Sequence, residues 1–390
     1  MTHGGAIIRR ISDASVPQGR VFALVALAIA IFLCNGMTAP ARAGDWSTTD
    51  LRTGAPLPSG TVTVNHVTVI WQVGNYWSDG LRIYGLLCTP TSLPGPYPVA
   101  ILNHGLSAVP VGPFYAFPAI EAYGWIGCTN MAGAGWLTAI TTYRGEIIGA
   151  STGSGFPAPY ARYWALSDGA LELCLGEVDD VLNLLSAVTA LPVANASHVL
   201  MWGHSHGSCI TERAVERGAP VAIAVSLDGP TDFTTWNHNN PILAPTIAAQ
   251  DARSSAWSGN NPAALANVKF LRIQAEGDTT VTPDQGCELA AKLPGSANYY
   301  LYSKISPPGV YWGSPKECSA ISMPWRKGQP LPDGVAGGIW SSPTFLMYSG
   351  LNHSTIRAKA WPEFRSFVNA IAVSGHWGAS IPAPYSPFEN

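Results

Sequence analysis

The sequence has few charged residues, no excess of basic ones, no internal repeat and no low-complexity segment. Asp, Glu, Lys and Arg together make up only 12% of the 390 residues, and the formal net charge is −3. Without a basic excess, a nucleic-acid partner is not indicated. The hydrophobic fraction of 47% is sufficient for one large core.

A long hydrophobic run is missing as well. The apolar stretch 21–34 has 14 residues, which is too short to span a bilayer comfortably. Three arginines precede it, and Ala41-Arg42-Ala43 follows it as a small-residue cleavage site. Residues 1–43 are therefore predicted to be a signal peptide, and the mature chain is predicted to be secreted or periplasmic, without stable membrane insertion. An uncleaved anchor is the alternative.

Six of the seven cysteines lie beyond this leader, and an even number in an exported protein permits three disulfides. One predicted pair is Cys88 with Cys128, because segment 125–131 is predicted to be a strand beside the one that carries Cys88. Another is Cys287 with Cys318. Buried free thiols are the alternative interpretation.

A strand-turn-helix motif surrounds Ser205. Residues 203–207 read Gly-His-Ser-His-Gly, follow the apolar run 198–202 and precede a predicted helix over 207–217. A sharp turn flanked by glycines lifts a serine hydroxyl clear of a sheet and places it at a helix N-terminus. Ser205 is therefore the candidate nucleophile.

Two further candidates follow predicted strands downstream. Asp278 comes after the predicted strand 268–274, and His353 comes after the predicted strand 343–348. Loops at the carboxyl ends of parallel strands are where such sheets hold catalytic groups. His353 is the candidate base and Asp278 the candidate acid, with Asp228, at the end of strand 221–227, as the rival acid. The chain order Ser, Asp, His is that of an α/β-hydrolase triad.

An oxyanion needs two backbone N–H donors. The amide of His206, directly after the nucleophile, is one candidate. Leu106 is the other, because residues 103–106 read Asn-His-Gly-Leu after the predicted strand 97–102. The two histidines beside Ser205 have no nearby Cys or carboxylate that would complete a ligand set, so no metal and no cofactor are predicted.

With these motifs, the chain resembles the α/β-hydrolases over about residues 62–372. Segments 78–87, 176–182 and 224–233 are similar to the branch that contains dienelactone-hydrolase-like esterases and the catalytic domains of prolyl-oligopeptidase-type acyl peptidases. The resemblance implies one domain, over residues 44–390, with a mostly parallel central sheet and helices on both faces.

The expected activity is that of a secreted serine hydrolase. A carboxylic ester hydrolase that acts on a small-molecule ester through an acyl-enzyme is the first interpretation. A serine peptidase of the prolyl-oligopeptidase type, an interfacial lipase and a non-catalytic binding protein are the alternatives. The short segment ahead of the first strand has no room for the β-propeller of prolyl oligopeptidases, which favours the esterase.

Three regions complete the prediction. Residues 231–267 are predicted to be a cap or lid. Residues 304–342 are an extra insertion between the strand-like segment 298–303 and the histidine loop, and either flanking strand could be the last of the sheet. Residues 168–188 are predicted to form a helix whose three carboxylates, Glu177, Asp179 and Asp180, lie on a solvated face.

Overall fold

A computed structural model of the chain describes residues 45–106, 126–149, 164–236, 246–293, 298–303, 309–310 and 343–381. The predicted signal peptide 1–43, nearly all of the insertion 304–342 and part of the predicted cap lie outside the described residues. Cys318 lies outside them as well.

The described elements comprise thirteen strands and seven α-helices. The strands are β1 (Ser59–Val64), β2 (Val67–Ser78), β3 (Leu81–Pro90), β4 (Tyr97–Asn103), β5 (Leu137–Thr141), β6 (Ile147–Gly149), β7 (Trp164–Leu166), β8 (Ala194–His204), β9 (Ile223–Leu227), β10 (Lys269–Ala275), β11 (Asn298–Ser303), β12 (Gly309–Val310) and β13 (Thr344–Ser349). The helices are α1 (Ile126–Gly133), α2 (Gly176–Thr189), α3 (His206–Glu216), α4 (Ile247–Asp251), α5 (Asp284–Lys292), α6 (Ile356–Lys359) and α7 (Trp361–Ser374).

Eleven of these strands form one sheet in the order β1-β2-β3-β5-β4-β8-β9-β10-β13-β11-β12. Pairing is parallel from β5 to β11, and antiparallel at both edges. The prediction of a mostly parallel central sheet is confirmed. Strand β13 leads directly into the histidine loop and β11 pairs outside it, so β13 is the strand that delivers His353.

Two hydrophobic cores cover the two faces of the sheet. In β8, Val199 and Met201 enter one core, with α2, α3 and α5, whereas Leu200 and Trp202 enter the other, with α1 and α7. Successive side chains of a strand point to opposite faces. A strand that is covered on both sides therefore reads as a continuous apolar run, as β8 does in the sequence.

The prediction of a strand over 125–131 is wrong. The described part of that segment lies in helix α1, and the strand follows it as β5. Because β4 and β5 are parallel neighbours, the chain between them must cross over the sheet, and a helix makes that crossover. A short apolar segment buried against a sheet has no periodicity that separates a helix from a strand.

Two disulfides are present among the described residues. Cys88 is bonded to Cys128, as predicted, although the bond joins a strand to a helix and not two strands. Cys174 is bonded to Cys209, a pair that the sequence analysis did not propose. This second bond joins the segment before α2 to the first turn of α3, directly behind Ser205.

The described part of segment 231–267 connects β9 to β10. Its Phe233, Ala256 and Leu265 are buried in the core that also contains α3. A role of this segment as a cap over the site stays a prediction. Among the helices in the described ranges, none is both long and apolar enough to cross a bilayer.

Candidate active site

Ser205 lies in a tight turn between β8 and α3. Its backbone has φ of 55° and ψ of −120°, in a region that L-residues rarely adopt and that costs on the order of 1–3 kcal/mol. A Cβ on Gly203 would lie 1.9 Å from the carbonyl oxygen of Gly207, and a Cβ on Gly207 would lie 2.0 Å from that of Asn103. Any residue with a Cβ would clash with the backbone at these two positions, so both require glycine. The turn raises Ser205 at the end of the sheet.

The structure brings the three predicted catalytic side chains together. His353 Nε2 lies 2.9 Å from Ser205 Oγ, and His353 Nδ1 lies 2.6 Å from Asp278 Oδ2. A carboxylate only accepts hydrogen bonds, so Nδ1–H donates to Asp278 and Nε2 is left to accept from the serine hydroxyl. This order of contacts is the one that lets an imidazole take the proton of a serine.

The loop that carries Asp278 is hydrogen-bonded to the loop that carries His353. Asp278 is buried, and its Oδ1 accepts from the backbone N–H of Thr280 at 2.8 Å and of Val281 at 2.9 Å. The N–H of Gly277 donates to the carbonyl of Leu351 at 2.9 Å. The side chain of Asp278 is therefore fixed by its own turn, and that turn is bonded to the histidine loop.

The predicted rival acid, Asp228, does not contact His353 by a hydrogen bond. Its Oδ1 accepts from the N–H of Ala275 at 2.7 Å, at the end of the adjacent strand. Burial, and then the negative charge of Asp278, raise the pKa of Asp228 well above its ordinary range. Among the two acids, Asp278 is the one hydrogen-bonded to His353, and its catalytic role stays a prediction.

The two predicted oxyanion donors flank Ser205. His206 opens α3, where backbone N–H groups have no partner within the helix. On the other side, a Cβ on Gly105 would lie only 3.3 Å from Cβ of Ser205, so the loop before Leu106 runs directly against the nucleophile. Leu106 is 40% exposed and is the last described residue of this loop. The donor roles of His206 and Leu106 stay predictions.

The side chain of His206 points into the protein and not into a pocket. It is buried, and its Nε2 accepts from the backbone N–H of Cys174 at 3.2 Å. Burial lowers the pKa of His206 to about 3, so the ring is neutral. His204 is also buried, with Nε2 donating to the carbonyl of His353 at 3.2 Å. His204 therefore supports the histidine loop, a role that the sequence did not indicate.

A buried ion pair anchors the loop that contains His104, Gly105 and Leu106. His104 Nε2 lies 3.1 Å from Glu146 Oε2 and 3.0 Å from the carbonyl of Thr141, while its Nδ1 lies 2.9 Å from the carbonyl of Gly105. Both ring nitrogens thus face acceptors only. Burial opposes a charge here, but the carboxylate of Glu146 outweighs it and raises the pKa of His104. Glu146 was missed from sequence, because it has no fixed spacing from the motif that it supports.

A second buried ion pair joins β10 to α3, the helix that follows Ser205. Arg272, on β10, pairs with Glu212, on α3, and both side chains are completely buried. Arg272 Nη2 also donates to the carbonyl of Gly229 at 2.6 Å and to Gln274 Oε1 at 2.9 Å. Gln274 in turn donates to the carbonyl of Val281, in the turn that holds Asp278. The pair therefore connects the serine helix to the acid loop.

Two groups of side chains in the described ranges have metal-ligand types within reach of one another. One contains Cys174, His206 and Cys209, and the other contains His204, Asp228 and His353. In the first group the two sulfurs are bonded to each other, so they are not thiolate ligands. In the second, both ring nitrogens of His353 are engaged by Ser205 and Asp278.

Comparison with known families matches residues 162–307 to the family described as the prolyl oligopeptidase family. That range contains Ser205 and Asp278 but not His353. Comparison with curated proteins gives no significant sequence match.

Comparison with solved structures returns peptidases and esterases. The chain is 14% identical to an acylaminoacyl peptidase from Pyrococcus horikoshii, with a TM-score of 0.45, covering 81% of this chain and 41% of that one. It is 10% identical to an acetyl xylan esterase from a Thermoanaerobacterium species, with a TM-score of 0.45, covering 80% of this chain and 87% of that one. The chain spans less than half the length of the first solved structures that it resembles.

Proposed function

We propose that this member of the α/β-hydrolase superfamily is a serine hydrolase that cleaves peptide bonds through an acyl-enzyme. The observation that carries the proposal is His353, which bridges Ser205 and Asp278 at 2.9 Å and 2.6 Å. The prolyl oligopeptidase match over residues 162–307 supports a peptide substrate, in preference to the ester predicted first from the sequence.

Each of these residues has a role in one step of the proposed reaction. Ser205 Oγ attacks the scissile carbonyl carbon while its proton passes to His353 Nε2, and Asp278 stabilises the imidazolium that forms. The amides of His206 and Leu106 receive the oxyanion. Collapse of the tetrahedral intermediate breaks the C–N bond, and His353 returns the proton to the leaving amine. Water, activated by the same imidazole, then hydrolyses the ester bond to Ser205 and restores the enzyme.

A pair of substrates with the same acyl group separates a peptidase from an esterase. We expect the wild-type protein to hydrolyse an N-acyl-aminoacyl p-nitroanilide, and Ser205→Ala to reduce that rate by about 10⁴-fold or more. The matching p-nitrophenyl ester should also be cleaved by the same nucleophile, because p-nitrophenolate is a better leaving group than p-nitroaniline. The measurement is the ratio of kcat/KM for the amide to that for the ester, across a panel of acyl groups.

Ser197→Ala is the matched control, because Ser197 lies on the same strand but is exposed at its far end. It should leave both rates unchanged. Turnover of esters with no turnover of any amide would overturn the peptide proposal and leave a carboxylic ester hydrolase with the same triad.

A further inference from the structure

Asp228 lies close to His353, and one of its two carboxyl oxygens makes no hydrogen bond to a described residue. It ends β9 with φ of 47°, is completely buried, and donates its backbone N–H to the carbonyl of Ile273 at 3.0 Å. Its Oδ1 accepts from the N–H of Ala275. Its Oδ2, however, has no hydrogen-bond partner among the described residues. A buried polar atom of this kind requires an explanation.

The groups around that carboxyl belong to the site. An oxygen of Asp228 lies within 4.8 Å of ring nitrogens of both His204 and His353. The carboxylate of Asp278 and the guanidinium of Arg272 are the charged groups that act on it from β10 and the loop that follows. Arg272 is already paired with Glu212, so it does not neutralise Asp228 by a direct bond.

Asp278 has room for one more donor. A carboxylate offers about four acceptor sites, and Asp278 uses two on Oδ1, for Thr280 and Val281, and one on Oδ2, for His353. Asp278 acts on Asp228 both through its negative charge and at side-chain hydrogen-bonding range. Two buried carboxyls at that range cannot both ionise at modest cost, so one of them keeps its proton. Burial and the charge of Asp278 raise the pKa of Asp228, which identifies it as the one that stays neutral.

We propose that Asp228 is a positioning residue that remains protonated and donates its Oδ2–H to Asp278 Oδ2, so that Asp278 keeps its orientation toward His353. The proposal rests on the proposed triad. The sequence therefore contains two acids at neighbouring strand ends with different roles: one partners the imidazole, and the other, uncharged, holds that partner.

The test compares two replacements of Asp228 by the pH profile of kcat/KM, with the surface variant Asp179→Asn as control. Asp228→Asn keeps both an acceptor for Ala275 and a donor for Asp278, so it should stay within about threefold of wild type. Asp228→Ala removes the donor and should lower kcat about tenfold or more, with KM little changed. Without the donor, Asp278 stabilises the protonated imidazole of His353 more strongly. The acid limb of the kcat/KM profile should therefore move to higher pH in Asp228→Ala only.

The direction of that movement distinguishes the alternatives. If Asp228 were ionised, both replacements would remove a negative charge near His353 and move the acid limb to lower pH, which would overturn the proposal. If Asp228 only held the N–H of Ala275, neither replacement would move the limb, which would also overturn it.

Infrared spectroscopy tests the protonation state without relying on activity. In protein labelled with isotopic aspartate, the wild-type minus Asp228→Asn difference spectrum at neutral pH should contain the C=O stretch of a protonated carboxyl, and Asp278→Asn should shift it. Its absence overturns the proposal even in an active enzyme. An enzyme that is inactive on all substrates but retains the band would contradict the proposed function and leave the proton on Asp228.

Discussion

Replacing Ser205 with alanine is expected to lower kcat by a factor of about 10⁴ to 10⁶. The variant keeps the backbone amides of His206 and Leu106 but has no oxygen to form the acyl-enzyme. Because His353 and Asp278 act only through that oxygen, adding His353→Ala to Ser205→Ala should cost little more than either change alone. Steady-state kinetics on the best substrate of the amide and ester panel measure both effects.

Two checks accompany this prediction. The circular dichroism spectrum and the thermal unfolding midpoint should show that Ser205→Ala is folded. Retention of more than about one hundredth of the wild-type kcat would contradict the assignment of Ser205 as nucleophile.

Replacing Arg272 with methionine is expected to lower the free energy of unfolding by about 3–5 kcal/mol. The change leaves the carboxylate of Glu212 buried without its cation, and that carboxylate has no route to water. Gly229 and Gln274 also lose their donor. Urea unfolding at neutral pH with the disulfides intact measures the loss.

The partner replacement supplies the internal control. Arg272→Met combined with Glu212→Gln removes both charges, and we expect the double variant to regain part of the loss, because the uncompensated carboxylate is gone. Arg217→Met breaks an exposed pair with Asp179 and should cost no more than about 1 kcal/mol. A loss in Arg272→Met no larger than in Arg217→Met would contradict the view that the buried pair holds α3 to β10.

The parts of the site that could be predicted from sequence are those with a local signature. Ser205 was proposed because its turn demands glycine at both ends, and the structure shows that demand as contacts with Gly207 and Asn103. Asp278 and His353 were proposed because each follows an apolar run, and parallel strands deliver their ends to one edge. The order Ser, Asp, His along the chain then narrowed the choice of candidate acid and base.

The parts that were missed depend on contacts between distant segments. Segment 168–188 was predicted as one helix, but α2 begins at Gly176. The preceding turn winds around the carboxylate of Glu177, which accepts from the N–H groups of Glu172, Leu173 and Leu175.

Glu177 and Asp180 are likewise completely buried, so the prediction of a solvated face is wrong for them. Asp180 accepts from Arg144, a residue of the loop after β5. Helical periodicity shows which residues share a face, but it does not show that an arginine from elsewhere will neutralise a carboxylate on the covered side. The pairing of Cys174 with Cys209 was missed for the same reason, since it also joins distant segments.

Several predictions stay as they were made. Cleavage of residues 1–43, export, the cap role of 231–267 and the pairing of Cys287 with Cys318 depend wholly or in part on residues outside the described ranges.

The measurement that tests the central claim most directly is labelling of residues 44–390 with a fluorophosphonate, followed by mass spectrometry to locate the adduct. A serine activated by His353 should carry the label at Ser205, and labelling should disappear in Ser205→Ala but persist in Ser197→Ala. A folded protein that takes no label, or one labelled at another serine with Ser205 unmodified, would contradict the claim that this triad is an active hydrolase centre.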